Sequence, residues 1–287
     1  MSEDGPPPLP PGAEPLPGYR VLGHIGRGRT LDVHDAWSDE RATRCILKLL
    51  RPDRAGDRTA ARRLVAEGRL LLRLSHPHIV RGYAVAAEPR PAVVMETLSG
   101  RTLAHLIDES PRRLARGEVV HLGLHLASAL RYLHGRGWLH LDLKPTNVVA
   151  EAGRAKLIDM SIARRPGRGR PGVGTRCYMA PEQALGGDLG PAADVWGLGA
   201  VLFEAAAGEP AFDSDLGTRA PSDLDTEERH PQLAGPARPV RRLRRGLPGP
   251  LAEIIDASLR QDPARRPATD EVIAALAGLV PGYPSST

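Results

Sequence analysis

The chain has 287 residues, of which 41% are hydrophobic and 25% are charged, and its formal net charge is +5. This composition is typical of a globular protein with one large domain or two small lobes, and it excludes disorder of the whole chain. No segment approaches the ~20 consecutive apolar residues of a membrane-spanning helix. The start, MSEDGPPPLPPG, lacks the apolar core of a secretory signal, and two cysteines cannot form a disulfide framework. We therefore expect a cytoplasmic protein.

Arginines in two loops, at residues 164–170 and 238–245, account for much of the positive charge. A basic chain raises the question of nucleic-acid binding. Aromatic residues make up only 3% of the chain, however, so it lacks the interleaved aromatic platform of single-strand binders. We do not expect nucleic acid to be the primary partner.

The N-terminal part of the chain is strand-rich. Seven prolines in residues 1–17 predict an extended, mobile tail. Short apolar or alternating runs then predict strands at residues 19–25, 31–37, 45–49, 79–85 and 92–96. Between the third and fourth of these strands, apolar residues at helical spacing predict a helix over residues 60–74.

The rest of the chain is mostly helical. Leu122, Leu126 and Leu130 form an apolar stripe at helical spacing, and Gly135 closes that helix. A hairpin is predicted around Gly153, and further helices are predicted at residues 191–208, 251–259 and 269–279. The stretch between the first and second of these helices, residues 213–250, is polar and proline-rich.

Four residues of the strand-rich part are candidates for a chemical role. Gly26 and Gly28 lie in a turn, where backbone N–H groups can approach a phosphate, although two such glycines are more often a simple turn. Lys48 ends an apolar run and, taken alone, is typical of a solvated strand edge. Glu67 shares the apolar helix face of Leu64, so its carboxylate needs a cationic partner, for which Lys48 is the candidate. A purely structural ion pair is the alternative.

The strongest local motif is His-Leu-Asp-Leu-Lys-Pro-Thr-Asn at residues 140–147. Pro145 is incompatible with a continuous helix, so this segment is a shaped loop. Asp159 follows at the end of a predicted strand. Aspartate and asparagine are hard oxygen ligands suited to Mg²⁺, which leaves Asp142 as a base and Lys144 as a phosphate clamp. The alternative is a polar loop without a chemical role.

In this order, the motifs resemble those of the eukaryotic-like serine/threonine protein kinases of bacteria, over residues 19–279. The resemblance rests on dispersed positions: Gly26, Gly28, Val33, Lys48, Glu67, Met95, Glu96, Asp159 and residues 140–147, 174–182, 194–199 and 262–267. It implies an α+β, two-lobed protein-kinase-like fold, with a small β-rich N-lobe that contains one helix and a larger helical C-lobe. The implied domains are a tail at residues 1–17, the N-lobe at 18–98, the C-lobe at 99–279 and a tail at 280–287.

The resemblance also implies ATP and Mg²⁺ as cofactors and protein serine or threonine hydroxyls as phosphate acceptors. Lys48, held by Glu67, would bind the α- and β-phosphates. Asp142 would accept the proton of the substrate hydroxyl, and Lys144 would neutralise charge on the γ-phosphoryl group. For ATP binding, the resemblance further implies Gly26, Gly28, Val33 and Glu96. For Mg²⁺ it implies Asn147 and Asp159. Structural roles are implied for Thr175, Asp194 and the pair of Glu182 with Arg266.

Several positions depart from the family pattern. Leu31 replaces the third glycine of the loop, and Ile46 replaces a small alanine, so we expect it to crowd the adenine pocket. Met160 and Ser161 replace the phenylalanine and glycine after Asp159. The arginine that usually precedes the catalytic aspartate is Leu141.

The absence of that arginine bears on regulation. In kinases that have it, a phosphate on the activation segment neutralises its charge and orders the segment. In this chain the segment, residues 160–174, has Ser161 as its one hydroxyl, and Thr175 follows it directly. We therefore expect activity not to depend on phosphorylation of the segment. Because the chain ends shortly after the last predicted helix, we expect control by partners or by the tail.

Two other functions remain open. A pseudokinase scaffold is suggested by Leu31, Ile46 and Ser161 together. A small-molecule phosphotransferase of the aminoglycoside-kinase kind also has a His-x-Asp-x-x-x-x-Asn loop without the arginine. Lys144 and the motifs at residues 175–182 and 194–199 favour a protein kinase over it.

Overall fold

The structure, a computed structural model, describes residues 5–88, 90–109, 113–212 and 229–282. It divides into two compact units, with the boundary between Ser99 and Gly100. The sequence-based boundary lay one residue earlier. Parts of the two predicted tails, residues 1–4 and 283–287, and part of the predicted polar stretch, residues 213–228, lie outside the described residues.

The N-terminal unit is an antiparallel five-stranded sheet with one helix. Its strands are β1 (Tyr19–Arg27), β2 (Leu31–Ser38), β3 (Thr43–Leu50), β4 (Gly82–Ala86) and β5 (Ala92–Glu96), in the order β1-β2-β3-β5-β4. Helix α1 (Arg58–Leu71) begins at Asp57, whose carboxylate accepts the N–H groups of the first turn. A Cβ at Gly68 would lie 2.7 Å from side-chain atoms of Val85 and Val93, so the helix packs closely on β4 and β5.

The opposite face of this sheet is covered by the N-terminal segment, residues 5–17. Leu16 is 6% exposed and lies in a core cluster with residues of β2, β3 and β5, and Leu9 packs against the same cluster. Backbone hydrogen bonds of 2.8 and 2.9 Å join Gly12 and Ala13 to Val21 of β1. The prediction of a mobile tail was therefore wrong for these residues. Two leucines find apolar partners on the sheet, and the prolines reduce the entropy lost when the segment is ordered.

The larger C-terminal unit is mostly helical. Its helices are α2 (Leu103–Glu109), α3 (Arg116–His134), α4 (Pro181–Leu185), α5 (Pro191–Ala207), α6 (Gly249–Ser258) and α7 (Thr269–Ala277). Helix α5 has proline at its first position and ends at Gly208, whose φ is +82°, and most of its side chains are buried. It therefore forms the centre of the unit and contacts α3 and α6.

Two small sheets complete the C-terminal unit. One contains β6 (Arg101–Thr102), β7 (Val148–Glu151) and β8 (Arg154–Leu157), in that order; the other pairs β9 (Gly167–Arg168) with β10 (Asp188–Leu189). The predicted hairpin is β7–β8, which turns at Gly153 with φ +75°. Among the described residues, no helix combines the length and the apolar character needed to cross a membrane.

Packing of the N-terminal segment can be tested by shortening Leu16. We expect Leu16→Ala to lower the free energy of unfolding by about 2–3 kcal/mol, because a buried leucine loses its contacts and leaves a cavity. Leu22→Ala is the control, since Leu22 lies in β1 but is 41% exposed, and it should change stability by only about 0.5 kcal/mol. Guanidinium denaturation of both variants measures the difference. Equal losses, or no loss in Leu16→Ala, would contradict the packing described.

Candidate active site

A buried ion pair lies in the N-terminal unit. Nζ of Lys48, on β3, is 2.7 Å from Oε1 of Glu67, on α1, and the two residues are 9% and 2% exposed. The neighbours of Lys48 on the adjacent strands are Val33 and Val93. The ammonium group thus lies on the sheet face that α1 covers, between two valines. The partner predicted for Glu67 is present.

Of the two glycines predicted to lie in a turn, Gly26 is inside β1 and only Gly28, which follows β1 directly, is in the turn between β1 and β2. Gly26 pairs with Val33 across the hairpin, and a Cβ at Gly26 would meet no atom within 4 Å. The N–H of Gly28 donates to the carbonyl of Leu31 at 2.8 Å, so this donor is engaged in the turn itself. At Gly26, the space that a side chain would occupy is open.

Glu96 lies at the end of β5. Its carboxylate accepts the backbone N–H of Arg81 at 2.8 Å. Lys48 pairs with Val93, and side chains alternate along a strand, so the Glu96 side chain lies on the sheet face opposite Lys48. A contribution of Glu96 to nucleotide binding would therefore come from its backbone. Ile46 is half-buried and shares the face of Lys48.

Four polar side chains of the C-terminal unit, those of Asp142, Lys144, Asn147 and Thr175, lie close together. Thr175 Oγ1 donates to Oδ1 of Asp142 at 2.6 Å. The other carboxylate oxygen, Oδ2, lies 2.9 Å from Nζ of Lys144 and 3.1 Å from Nδ2 of Asn147. Lys144 Nζ also donates to Thr175 Oγ1 at 2.8 Å. A carboxylate, a cation and a hydroxyl thus form one closed network.

The backbone of the loop before Asp142 is fixed by Asp194, in the first turn of α5. Oδ1 of Asp194 accepts the N–H of Leu141 at 2.7 Å, and Oδ2 accepts the N–H of His140 at 2.9 Å. Leu141 has φ +66°, in the left-handed region, which costs a leucine about 1–2 kcal/mol. Such strain persists only where the surroundings hold it, and Asp194 supplies that support.

The two residues predicted to bind a metal lie at the open end of the β7–β8 hairpin. Asn147 directly precedes β7, and Asp159 follows β8 after one residue, Ile158. The N–H of Ile158 donates to the carbonyl of Asn147 at 3.1 Å, which brings the two ends of the hairpin together. Oδ1 of Asp159 accepts the N–H of Ser161 at 2.8 Å.

Two contacts anchor the chain after the activation segment. Glu182 and Arg266 form a bidentate ion pair with distances of 2.7 and 2.8 Å, as the resemblance implied. Tyr178 donates its hydroxyl to Oε2 of Glu204, on α5, at 2.6 Å. Burial raises the pKa of the Glu204 carboxyl, and the hydrogen bond from Tyr178 opposes that shift.

Sequence reasoning missed two residues of this region. His134, the last residue of α3, places Nε2 2.8 Å from Oδ2 of Asp194. Gln183, directly after Glu182, donates to the backbone carbonyls of Leu141 and Val173. Hydrogen bonds to one distant carboxylate or to backbone carbonyls leave no spacing pattern in a sequence, although the position of Gln183 next to a family motif was a usable signal.

Comparisons with known proteins identify the family. A family model described as the protein kinase domain matches residues 19–276. Serine/threonine-protein kinase PknA of Mycobacterium tuberculosis is 32% identical over 286 residues, which cover 94% of this chain and 64% of PknA. Serine/threonine-protein kinase PkaA of Streptomyces coelicolor is 32% identical over 276 residues, which cover 92% of this chain and 48% of PkaA. The chain thus spans less than two thirds of the length of either relative.

A solved structure is also similar. The crystal structure of the Mycobacterium tuberculosis PknI kinase domain matches with a TM-score of 0.72 and 27% identity, over 94% of this chain and 98% of that one. This likeness confirms the predicted fold class, with a β-rich N-lobe and a helical C-lobe. The chain belongs to the protein kinase domain family.

Proposed function

We propose that the chain is an ATP-dependent serine/threonine protein kinase, which transfers the γ-phosphoryl group of ATP to serine or threonine hydroxyls of proteins. The observation that carries this proposal is the network of Asp142, Lys144 and Thr175, with contacts of 2.6–2.9 Å. The bacterial relatives described as serine/threonine-protein kinases support the same activity.

Asp142 is the proposed catalytic base. An ionised carboxylate can accept about four hydrogen bonds, and Thr175, Lys144 and Asn147 account for three contacts here. Capacity remains for the hydroxyl of an incoming substrate. Asp142 would orient that hydroxyl and accept its proton as the phosphoryl group is transferred.

Lys144 is proposed to place its positive charge beside the γ-phosphoryl group during transfer. Its Nζ lies between Asp142 and Thr175, so these two residues fix its position. A positive charge held in place in this way stabilises negative charge that develops on a phosphoryl group during transfer. Thr175 has a positioning role, because it touches both Asp142 and Lys144.

In the N-terminal unit, the proposed nucleotide-binding residues are Lys48, Glu67, Gly26, Gly28 and Val33. Lys48 would bind the α- and β-phosphates, with Glu67 fixing its side chain. The open space beside Gly26 would allow a phosphate to come close to the chain there without meeting a side chain. Glu96 would contribute through its backbone.

Asn147 and Asp159 fit a divalent cation. Nδ2 of Asn147 donates to both the carbonyl and the carboxylate of Asp142, which turns the amide oxygen the other way, as a metal ligand requires. With the carboxylate of Asp159, the donor set is hard oxygen, the kind that Mg²⁺ prefers. Mg²⁺ held by these two residues would offset the charge of the nucleotide phosphates.

The departures from the family pattern leave this machinery in place. Leu31, Ile46 and Ser161 do not belong to the network around Asp142. A pseudokinase scaffold would bind partners without transferring phosphate, and a small-molecule phosphotransferase would act on aminoglycosides rather than proteins. Assays of transfer to a protein and to an aminoglycoside separate the three functions.

The catalytic assignment can be tested with two substitutions. Asp142→Asn should lower kcat for peptide phosphorylation by about 10²–10⁴-fold, because a general base is lost, while ATP affinity stays unchanged. Asp159→Ala should instead weaken ATP binding in the presence of Mg²⁺ and leave the Mg²⁺-free affinity unchanged. Asp188→Asn, an exposed carboxylate on β10, is the control for both. Near wild-type turnover of Asp142→Asn would show that the base is assigned wrongly.

Phosphorylation of residues 160–176 is proposed to be unnecessary for activity. Leu141 is buried at the position of the usual arginine, and the segment is already paired through β9 and β10. Enzyme treated with phosphatase, and shown by mass spectrometry to be unmodified in these residues, should phosphorylate a peptide at a constant initial rate. A lag that disappears as phosphate accumulates in the segment would contradict this expectation.

A further inference from the structure

Gln183 joins the activation segment to the catalytic loop. This residue of α4 is 2% exposed, and its Nε2 donates to the carbonyl of Val173 at 2.6 Å and to the carbonyl of Leu141 at 2.7 Å. Carbonyl groups only accept hydrogen bonds, so the amide nitrogen has to face them. One NH₂ group therefore links a residue two positions before Thr175 to the residue directly before Asp142.

The contact with Leu141 completes the support of a strained residue. Asp194 accepts the N–H of Leu141 at 2.7 Å, and Gln183 donates to its carbonyl at 2.7 Å. Both polar backbone groups of Leu141, whose φ is +66°, are thus held by buried side chains. Because Asp142 is the next residue, the direction of its side chain depends on both contacts.

Gly174 makes room for this link. Its φ is +136°, and a Cβ there would lie 2.5 Å from Nε2 of Gln183 and 3.2 Å from the carbonyl oxygen of Leu141. Any side chain at this position would displace the Gln183 amide from the carbonyl of Leu141. The sequence Gly174-Thr175 therefore combines a close backbone approach with the hydroxyl that reaches Asp142.

A second buried glutamine holds the chain after Thr175. Gln232 is 0% exposed, and its Nε2 donates to the carbonyls of Arg176 and Met179 at 2.9 and 3.1 Å. It has the same chemistry and the same burial as Gln183 but no hydrogen bond to the catalytic loop. Gln232 anchors the stretch independently, so loss of the Gln183 amide should loosen the link to Leu141 without detaching the segment.

We propose that Gln183 is a positioning residue: its hydrogen bonds to Val173 and Leu141 join the activation segment to the catalytic loop and so orient the side chain of Asp142 without a phosphate. These two hydrogen bonds are called the latch. In kinases that carry an arginine at the position of Leu141, a phosphate on the activation segment orders that segment. Here the neutral amide of Gln183 would order it instead. This inference rests on the proposed kinase activity, which it deepens by naming the contact that makes phosphorylation of the segment unnecessary.

The test compares Gln183→Met with Gln232→Met in phosphatase-treated enzyme. Each substitution keeps side-chain length and removes two hydrogen bonds to backbone carbonyls, one buried and one part-buried, so a purely structural role predicts similar effects. We expect Gln183→Met to lower kcat for a peptide about 10–100-fold relative to Gln232→Met, because displacing a catalytic group by about 1 Å can cost 10²-fold. The KM for ATP should be the same in both variants. Equal losses of kcat would overturn the proposal.

Hydrogen exchange tests the latch without an activity assay. The amide of Leu141 should exchange faster in Gln183→Met than in the parent chain, and Gln232→Met should leave it protected. If the parent chain transfers no phosphate, the proposed function fails while this comparison still decides on the latch. In Gly174→Ala the added Cβ would displace the Gln183 amide from the same contact. The Leu141 amide should therefore exchange faster in this variant too. Unchanged protection of Leu141 in both variants would overturn the proposal.

Discussion

The site depends first on the carboxylate of Asp194, which is 1% exposed in the first turn of α5. A buried carboxylate is costly unless it is hydrogen-bonded, and this one accepts the N–H groups of His140 and Leu141 and contacts the imidazole of His134. The helix N-terminus adds a favourable field for the negative charge. This largely buried helix thereby fixes the backbone that carries Asp142, and the proposed proton transfer from the substrate hydroxyl depends on the direction of the Asp142 side chain.

Around this anchor, the chain uses hydrogen bonds where other kinases use a charge pair. A buried arginine before Asp142 would need a compensating anion, whereas Leu141 needs none. Its strained backbone is held instead by one carboxylate and one amide, from Asp194 and Gln183. Both supports come from residues of the fold itself rather than from a modification. The proposed independence from phosphorylation thus follows from the local polar contacts as well as from the scarcity of hydroxyls, since Ser161 is the one hydroxyl residue of the segment before Thr175.

Much of this could be predicted from the sequence, and the exceptions have physical reasons. The five strands of the N-terminal unit and the longer helices were predictable because their apolar pattern is regular, whereas the short elements β6, β9, β10 and α4 have too few residues to show one. The pair of Lys48 with Glu67 was predictable because a carboxylate on an apolar helix face needs a cation. The packing of Leu16 was not, because its proline-rich surroundings are typical of a mobile tail and its partners lie on distant strands. The role of Gln183 was hidden for another reason: its partners are backbone carbonyls, which every residue has.

Asp194 supports the strained backbone of Leu141 and thereby directs the side chain of Asp142. The most direct measurement is a double-mutant cycle of Asp194→Asn and Leu141→Gly, read as kcat for a peptide. Glycine adopts a positive φ without strain, so Asp194→Asn should lower kcat less in the Leu141→Gly background. The expected coupling is about 1–2 kcal/mol, the cost of a left-handed leucine. An equal loss of kcat in both backgrounds would contradict the claim.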